Sequence, residues 1–262
     1  MIPLLIIPAV AFIATLCYAS LLDIQERRVP FRTWYPMLLI SIPFSALFYS
    51  LLIARGEYAI AFYLGAMAII FSLFFYLFAY FNLFGGADAW ALIFISVCIP
   101  TFPFTPLLGL PPHAFFPFSV LINAVLINLL TPVAIYLYNF KKGNTAPFPY
   151  LFIAYPVIGS KILESHGFVM EEFQEDDGVL KRRFIGIGEA IRRMATGKGR
   201  IYTVDLRRNP DKFRNECALF EKAGRVWITY GIPFIVPICA GMIIALFFGD
   251  IFNSLLNSLN GV

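Results

Sequence analysis

Two aspartates, Asp23 and Asp88, are the residues of this chain best placed to do acid–base chemistry. The sequence holds 16 acidic residues, and 11 of them lie between positions 141 and 225. Of the other five, Glu57 and Asp250 fall at ends of apolar runs expected to meet external water, and Glu26 follows Asp23 in a basic loop. Asp23 directly follows the apolar run CYASLL, and Asp88 directly precedes AWALIFISV, so each carboxylate stands at one end of an apolar helix. An acid at membrane depth is costly unless it faces water or a partner, which makes such a residue a functional candidate. Two carboxylates close enough to share a proton cannot both ionise cheaply, so near neutral pH one can act as general base and the other as general acid. The base takes a proton from a water between them and the resulting hydroxide attacks a peptide carbonyl. The acid protonates the oxyanion and then assists departure of the amine. Titration belongs to the pair, so neither role is assigned to one residue.

Three other readings compete. Asp88 could simply cap its helix while Asp23 pairs with arginines such as Arg27. A small transporter could use Asp23 and Asp88 to carry protons or cations, although transporters usually place such acids near the bilayer midplane. A non-catalytic assembly scaffold would need neither acid for chemistry.

The elements that must position these acids are membrane helices. Of 262 residues, 60% are hydrophobic, 17% aromatic and only 14% charged, against ~25% charged in ordinary soluble domains. A water-soluble globule cannot hide that much apolar surface. The hydrophobic runs predict an α-helical integral membrane protein with six transmembrane helices and a small cytoplasmic α+β insert between helices 5 and 6. The expected runs are Ile2 to Leu22, Trp34 to Ala54, Tyr58 to Asn82, a short one from Asp88 to Pro100, Ala114 to Phe140, and Val226 to Phe248. The last carries Pro233 and Pro237, which suggest a kink. The expected organisation is a membrane domain over 1–140 with both acids, an insert over 141–225, the sixth helix over 226–249, and an external tail over 250–262.

Orientation follows from basic residues, which favour cytoplasmic loops. Arg27, Arg28 and Arg32 crowd the first loop, and 16 of the 20 Lys and Arg lie in 141–225. Both segments are expected inside, with Asp23 and Asp88 at the cytoplasmic face of the plasma membrane and both termini outside. The first span lacks a basic leader region and a clear cleavage site, so it should stay attached. Residues 147–162 are apolar but proline-interrupted and read as interfacial or partly re-entrant. GFVMEEF, LKRRFIGI and GRIYTVDL read as short strands.

Little else in the sequence suggests chemistry. Cys17, Cys98, Cys217 and Cys239 form no CxxC pair, and His113 and His166 are isolated, so no metal site is expected. GIGEA within the insert lacks the strand and helix context of a phosphate loop. The basic residues are interleaved with acids, which argues against nucleic acid as a partner and leaves the lipid bilayer. The acidic run Glu171 to Asp177 reads as a solvated loop, or as a patch that steers a basic ligand. Gly85, Gly86 and Ala87 before Asp88 offer a small-residue turn that lets a substrate backbone approach.

Asp23 followed by the basic stretch DIQERRVP, with GGAD ahead of the fourth span, resembles the type IV prepilin peptidase family, its archaeal preflagellin and prepilin peptidase branch in particular. That resemblance implies a membrane aspartic peptidase of the GxGD type, with Asp23 and Asp88 as catalytic residues, Gly85, Gly86 and Ala87 as the substrate-binding motif, and no cofactor. The implied partner is a prepilin- or preflagellin-like precursor with a class III signal peptide, whose short basic leader is removed. Two positions depart from the family pattern. Ala87 replaces its second glycine, and Trp90 stands where many relatives carry lysine. Bifunctional bacterial relatives carry a cysteine-pair zinc element and methylate the new N-terminus. The absence of such pairs implies peptidase activity alone.

Overall fold

The computed structural model describes residues 2–81, 84–176, 178–186, 188–189, 192–193, 201–229 and 234–259. Five helices come first: α1 (Ile6–Glu26), α2 (Tyr35–Ala54), α3 (Tyr58–Tyr80), α4 (Gly86–Cys98) and α5 (Phe116–Lys141). After them come α6 (Tyr150–Ile153), β1 (Ala154–Ile158), β2 (Glu171–Asp176), β3 (Val179–Phe184), α7 (Thr203–Arg208), α8 (Arg214–Ala223), β4 (Arg225–Thr229), α9 (Ile235–Phe247) and α10 (Ile251–Leu259). The chain forms two units, one of residues 1–129 with 233–262 and the other of residues 130–232.

Four helical stretches are long and apolar enough to cross a membrane: Pro3–Glu26, Phe31–Ala54, Tyr58–Tyr80 and Phe116–Lys141. Only 17% to 33% of each apolar window is buried in the protein, so most of that surface is left for lipid. A fifth candidate is the pair α9 and α10, bent by 56° at the Gly249–Asp250 corner. Helix α4 has 13 residues, about 20 Å at the helical rise, which is short of a ~30 Å hydrocarbon core. The described residues therefore supply four to five candidate spans, where the hydrophobic runs suggested six.

In the first unit, α1 packs on α2 and α9, and α3 lies against α4. Its core runs through Phe12, Leu16, Trp34, Phe71, Leu92, Ile95, Phe116, Ile238 and Met242. Alternation of helix direction brings the end of α1 and the start of α4 to one end of this unit. The loop before α5 reaches the other end, where Tyr63 near the start of α3 donates to the His113 carbonyl. Here Asp250 departs from expectation: it is buried rather than bathed in external water. Its Oδ2 accepts from Ser119 Oγ at 3.2 Å and lies 3.4 Å from His113 Nε2. His113, expected to be isolated, is thus a tertiary tie between the loop and the α9–α10 corner. Residues 251–259 of the expected tail are helical.

The second unit takes in the C-terminal part of α5, from Leu130. Asn139 explains why, since its side-chain amide donates to the carbonyls of Leu151 and Ala154 and binds the last turns of α5 to α6 and the start of β1. Strands β1 and β4 pair antiparallel, from Ala154 opposite Thr229 to Ile158 opposite Arg225. Strands β2 and β3 form a second antiparallel pair, from Glu171 opposite Phe184 to Asp176 opposite Val179. Ile162, Val169, Leu206, Phe220, Val226 and Ile228 fill the core of this unit.

Three segments differ from the sequence expectation. The sixth span was expected to open at Val226, yet Arg225–Thr229 is strand β4 and the helix starts at Ile235. The run VWIT is as apolar as a span, and only its pairing with β1 distinguishes a buried strand from helix. Pro233 lies outside the described residues. The segment 147–162, expected to be one interfacial or partly re-entrant stretch, divides into α6, β1 and a 3-10 turn. In GRIYTVDL, Tyr202 bridges Phe168, but Thr203 starts helix α7. The Thr203 hydroxyl donates to the Ser165 carbonyl and accepts from Gly167 N–H. Residues 187, 194–200 and Asp177, which belong to the expected strands and turns, lie outside the described set, as does most of the Gly-rich stretch after GIGEA.

Candidate active site

Asp23 lies in the last turn of α1, and the chain leaves that helix through Arg27, whose backbone is left-handed at φ 54°. The Arg27 N–H closes the turn on the Asp23 carbonyl at 3.1 Å. The Arg27 guanidinium also lies within electrostatic reach of the Asp23 carboxyl. Asp88 occupies the first turn of α4, where an acid complements the unpaired amides and the positive end of the helix dipole. Gly85, not Asp88, is the N-cap residue, and its carbonyl accepts from Ala89 N–H at 3.0 Å. The Asp88 carboxyl turns back over Gly85, so that a Cβ built there would stand 2.3 Å from Asp88 Oδ2. The backbone N–H of Ile235, at the start of α9, donates to the same carboxyl.

The fold therefore brings Asp23 and Asp88 to one end of the first unit, within electrostatic reach of each other. Both are half-buried. Desolvation strengthens their interaction, since charges in a low-dielectric setting are screened less than in water. Two half-buried carboxyls, one beside a cation and the other at two helix N-termini, can divide the work of acid and base on a bound water. Among the described residues no group of three or more His, Cys, Asp or Glu could hold a metal ion.

Around the pair the motif residues take separate parts. Gly85 is required by the Asp88 carboxyl, whereas a Cβ at Gly86 would meet open space. Ala87 is an ordinary residue of the first turn, packed against the core, and needs no glycine conformation. Trp90 fills an aromatic cluster, edge-on to Phe31 and stacked on Phe94, each with ring centroids 5.2 Å apart. The Ile235 amide was not anticipated. Nothing in its apolar sequence context marks it, because only the tertiary fold delivers a helix N-terminus to Asp88.

In the second unit the acidic run is not a solvated loop. Glu172 pairs with Arg183 at 2.6 Å and with Arg193, Glu175 with Lys222 at 2.7 Å, and Asp176 with Lys181 at 2.8 Å. Glu171 is buried, and its Oε2 accepts from Trp227 N–H at 2.8 Å. Burial pushes the Glu171 carboxyl above its ordinary range, with the Trp227 amide and Arg182 opposing. The guanidinium of Arg183, helped by Arg193, holds Glu172 below its ordinary range.

A polytopic helical protein with paired aspartates at one end of its helices has the form of a membrane-embedded peptidase. Residues 10–136 match the Type IV leader peptidase family. Residues 146–251 match the Archaeal Peptidase A24 C-terminus Type II family. The two matches lie end to end over most of the chain, which belongs to the archaeal prepilin and preflagellin peptidase family and is a protease. Among curated relatives, the preflagellin peptidase of Methanococcus voltae is 23% identical over 250 residues, covering 90% of this chain and 92% of its own length.

Proposed function

We propose that this protein is an aspartic endopeptidase that removes the short basic leader from prepilin- or preflagellin-like precursors at the cytoplasmic face of the membrane. Asp23 and Asp88 are its catalytic pair, and Gly85, Gly86 and Ala87 form the turn beside which the scissile segment binds. The observation that carries this reading is the convergence of two half-buried carboxyls from α1 and α4 at one end of the first unit. The leader-peptidase family match and the preflagellin peptidase relative support the substrate class.

The geometry suits a precursor whose apolar helix lies in the bilayer while its leader junction reaches the interface. A water activated by one carboxyl attacks the junction carbonyl, and the other carboxyl protonates the departing amine. Arg27, Arg28 and Arg32 beside Asp23 support a cytoplasmic location for this end. The lack of any CxxC pair supports cleavage without methylation of the new N-terminus.

The test is cleavage of a leader-bearing pilin precursor by detergent-purified protein. Asp23→Asn and Asp88→Asn should each lower kcat/KM by at least about 10²-fold, the lower end of what positioned acid–base groups supply. Mass spectrometry should find an unmodified new N-terminus even with a methyl donor present. Processing retained in either Asn variant rejects the pair.

A further inference from the structure

Helices α1 and α9 also meet through sulfur. Cys17 Sγ and Cys239 Sγ lie 3.6 Å apart, at van der Waals contact and unbonded. Cys239 is buried, while Cys17 is exposed on a helix long and apolar enough to cross a membrane, where a bilayer-soluble reagent can reach it. Cys17 lies less than two turns before Asp23 on α1, and Cys239 one turn after Ile235, whose amide meets the Asp88 carboxyl. The two thiols thus join the helix that carries one aspartate to the helix that holds the other.

We propose that Cys17 and Cys239 form an oxidisable dithiol, and that its disulfide ties α1 to α9 and stops turnover by fixing Asp23 relative to Asp88. Both S–H bonds break and one S–S bond of about 2.05 Å forms. The two protons and two electrons pass to a hydrogen acceptor that enters the bilayer, of the quinone class, which leaves as the quinol. Closing 3.6 Å to about 2.05 Å brings the two sulfurs together by about 1.5 Å, and the bond then locks the two helices against each other. No hydrogen bond joins the two carboxyls among the described residues. A peptide carbonyl and a water must be admitted between them, each within hydrogen-bond reach of its partner. Admitting them shifts Asp23 on α1 relative to Asp88, whose carboxyl is held by the Ile235 amide at the start of α9, and a covalent tie between α1 and α9 opposes that shift.

The effect on turnover rests on the leader-peptidase reading, whereas the thiol chemistry does not. The full chain in lipid vesicles is treated with diamide, whose N=N bond takes up the two hydrogens. Free thiols are then alkylated and mapped by mass spectrometry, and precursor cleavage is measured in parallel. The expected result is loss of two of the four thiols, a linked pair of peptides containing Cys17 and Cys239, and a fall in cleavage of about tenfold or more. Dithiothreitol should reverse all three. Cys17→Ser and Cys239→Ser should each keep full cleavage in diamide. Alkylation of both cysteines after diamide overturns the dithiol, and a mapped disulfide with cleavage within about twofold of the untreated protein overturns the lock. If untreated protein cleaves no precursor, the leader-peptidase reading fails by itself, while the thiol map still decides the pair.

Discussion

Gly85→Ala tests the link between the backbone at the start of α4 and the chemistry of Asp88. Gly85 has φ −63° and ψ 133°, a conformation open to any L residue, so alanine strains no backbone there. Its new Cβ would sit 2.3 Å from Asp88 Oδ2 and 3.2 Å from Asp88 Cγ, and ordinary contact begins at 3.4 Å. The carboxylate must therefore retreat by about 1.1 Å, the difference between 3.4 and 2.3 Å. A misplacement of about 1 Å in a reacting group costs about 10²-fold in rate. The fold suffers little, because alanine in place of glycine at an N-cap costs less than about 1 kcal/mol. Cleavage of a leader-bearing precursor should lose about 10²-fold in kcat/KM, with thermal unfolding displaced by only a few degrees. Gly86→Ala is the matched control: its Cβ meets open space, and alanine in the first turn gains up to about 1 kcal/mol of helix propensity. It should leave kcat close to the original value, with any loss falling on KM because the scissile segment binds beside it. A Gly85→Ala enzyme within about threefold of the parent, or equal losses in both variants, would refute the claim that Gly85 makes room for the Asp88 carboxyl.

Further predictions concern the two units separately. Gly241 lies where α9 meets α5, and a Cβ there would stand 2.7 Å from Ala124 N and from the Val120 carbonyl. Small residues allow such close helix approach in membranes, so Gly241→Val should lower the unfolding temperature in detergent by several degrees, and an unchanged melt would contradict the packing. In the second unit, Glu171→Gln keeps an acceptor for Trp227 N–H and removes a buried charge whose pKa is raised by burial. Thermal melts at pH 7 should place it at or above the parent and Glu171→Ala well below, since alanine leaves the buried amide unpaired. Glu172 gives a pH signature of the opposite sign. Its pKa is lowered in the folded state, so its contribution is present above the ordinary value of 4.5 and is lost as pH falls through the folded value. Glu172→Gln should flatten the acid limb of the unfolding curve, and an unaltered limb would remove the Arg183 and Arg193 pairing as its cause.

What the sequence discloses depends on whether a residue's role is local. The five apolar runs from Ile2 to Phe140 locate α1 to α5 closely, because continuous hydropathy is the main requirement of a membrane helix. The run after Val226 misleads for the same reason. Hydropathy sees VWIT and the helix beyond it as one stretch, while the chain uses Val226 and Ile228 to fill the core of the second unit opposite β1. The acidic run 171–176 is likewise ambiguous until its cations are known, and Lys222 and Arg193 are too distant in sequence to suggest themselves.

The paired aspartates are legible from their cost. An acid that abuts an apolar run demands an explanation, and Asp23 and Asp88 both do so, at the end of the unit where Arg27 and the start of α9 meet them. Their surroundings are less legible, because what three neighbouring residues do shows only in the folded chain. Ile235 contributes a backbone amide, which carries no side-chain signature. Gly85 matters for the space it leaves, and in sequence it cannot be told from Gly86, which has no such duty. Ala87 departs from the family pattern at a position where the helix has already begun, so a methyl group there meets no conformational obstacle. A glycine motif read as one flexible turn thus separates into one residue that clears room for a carboxylate and two that continue a helix, and the paired alanine substitutions distinguish these roles.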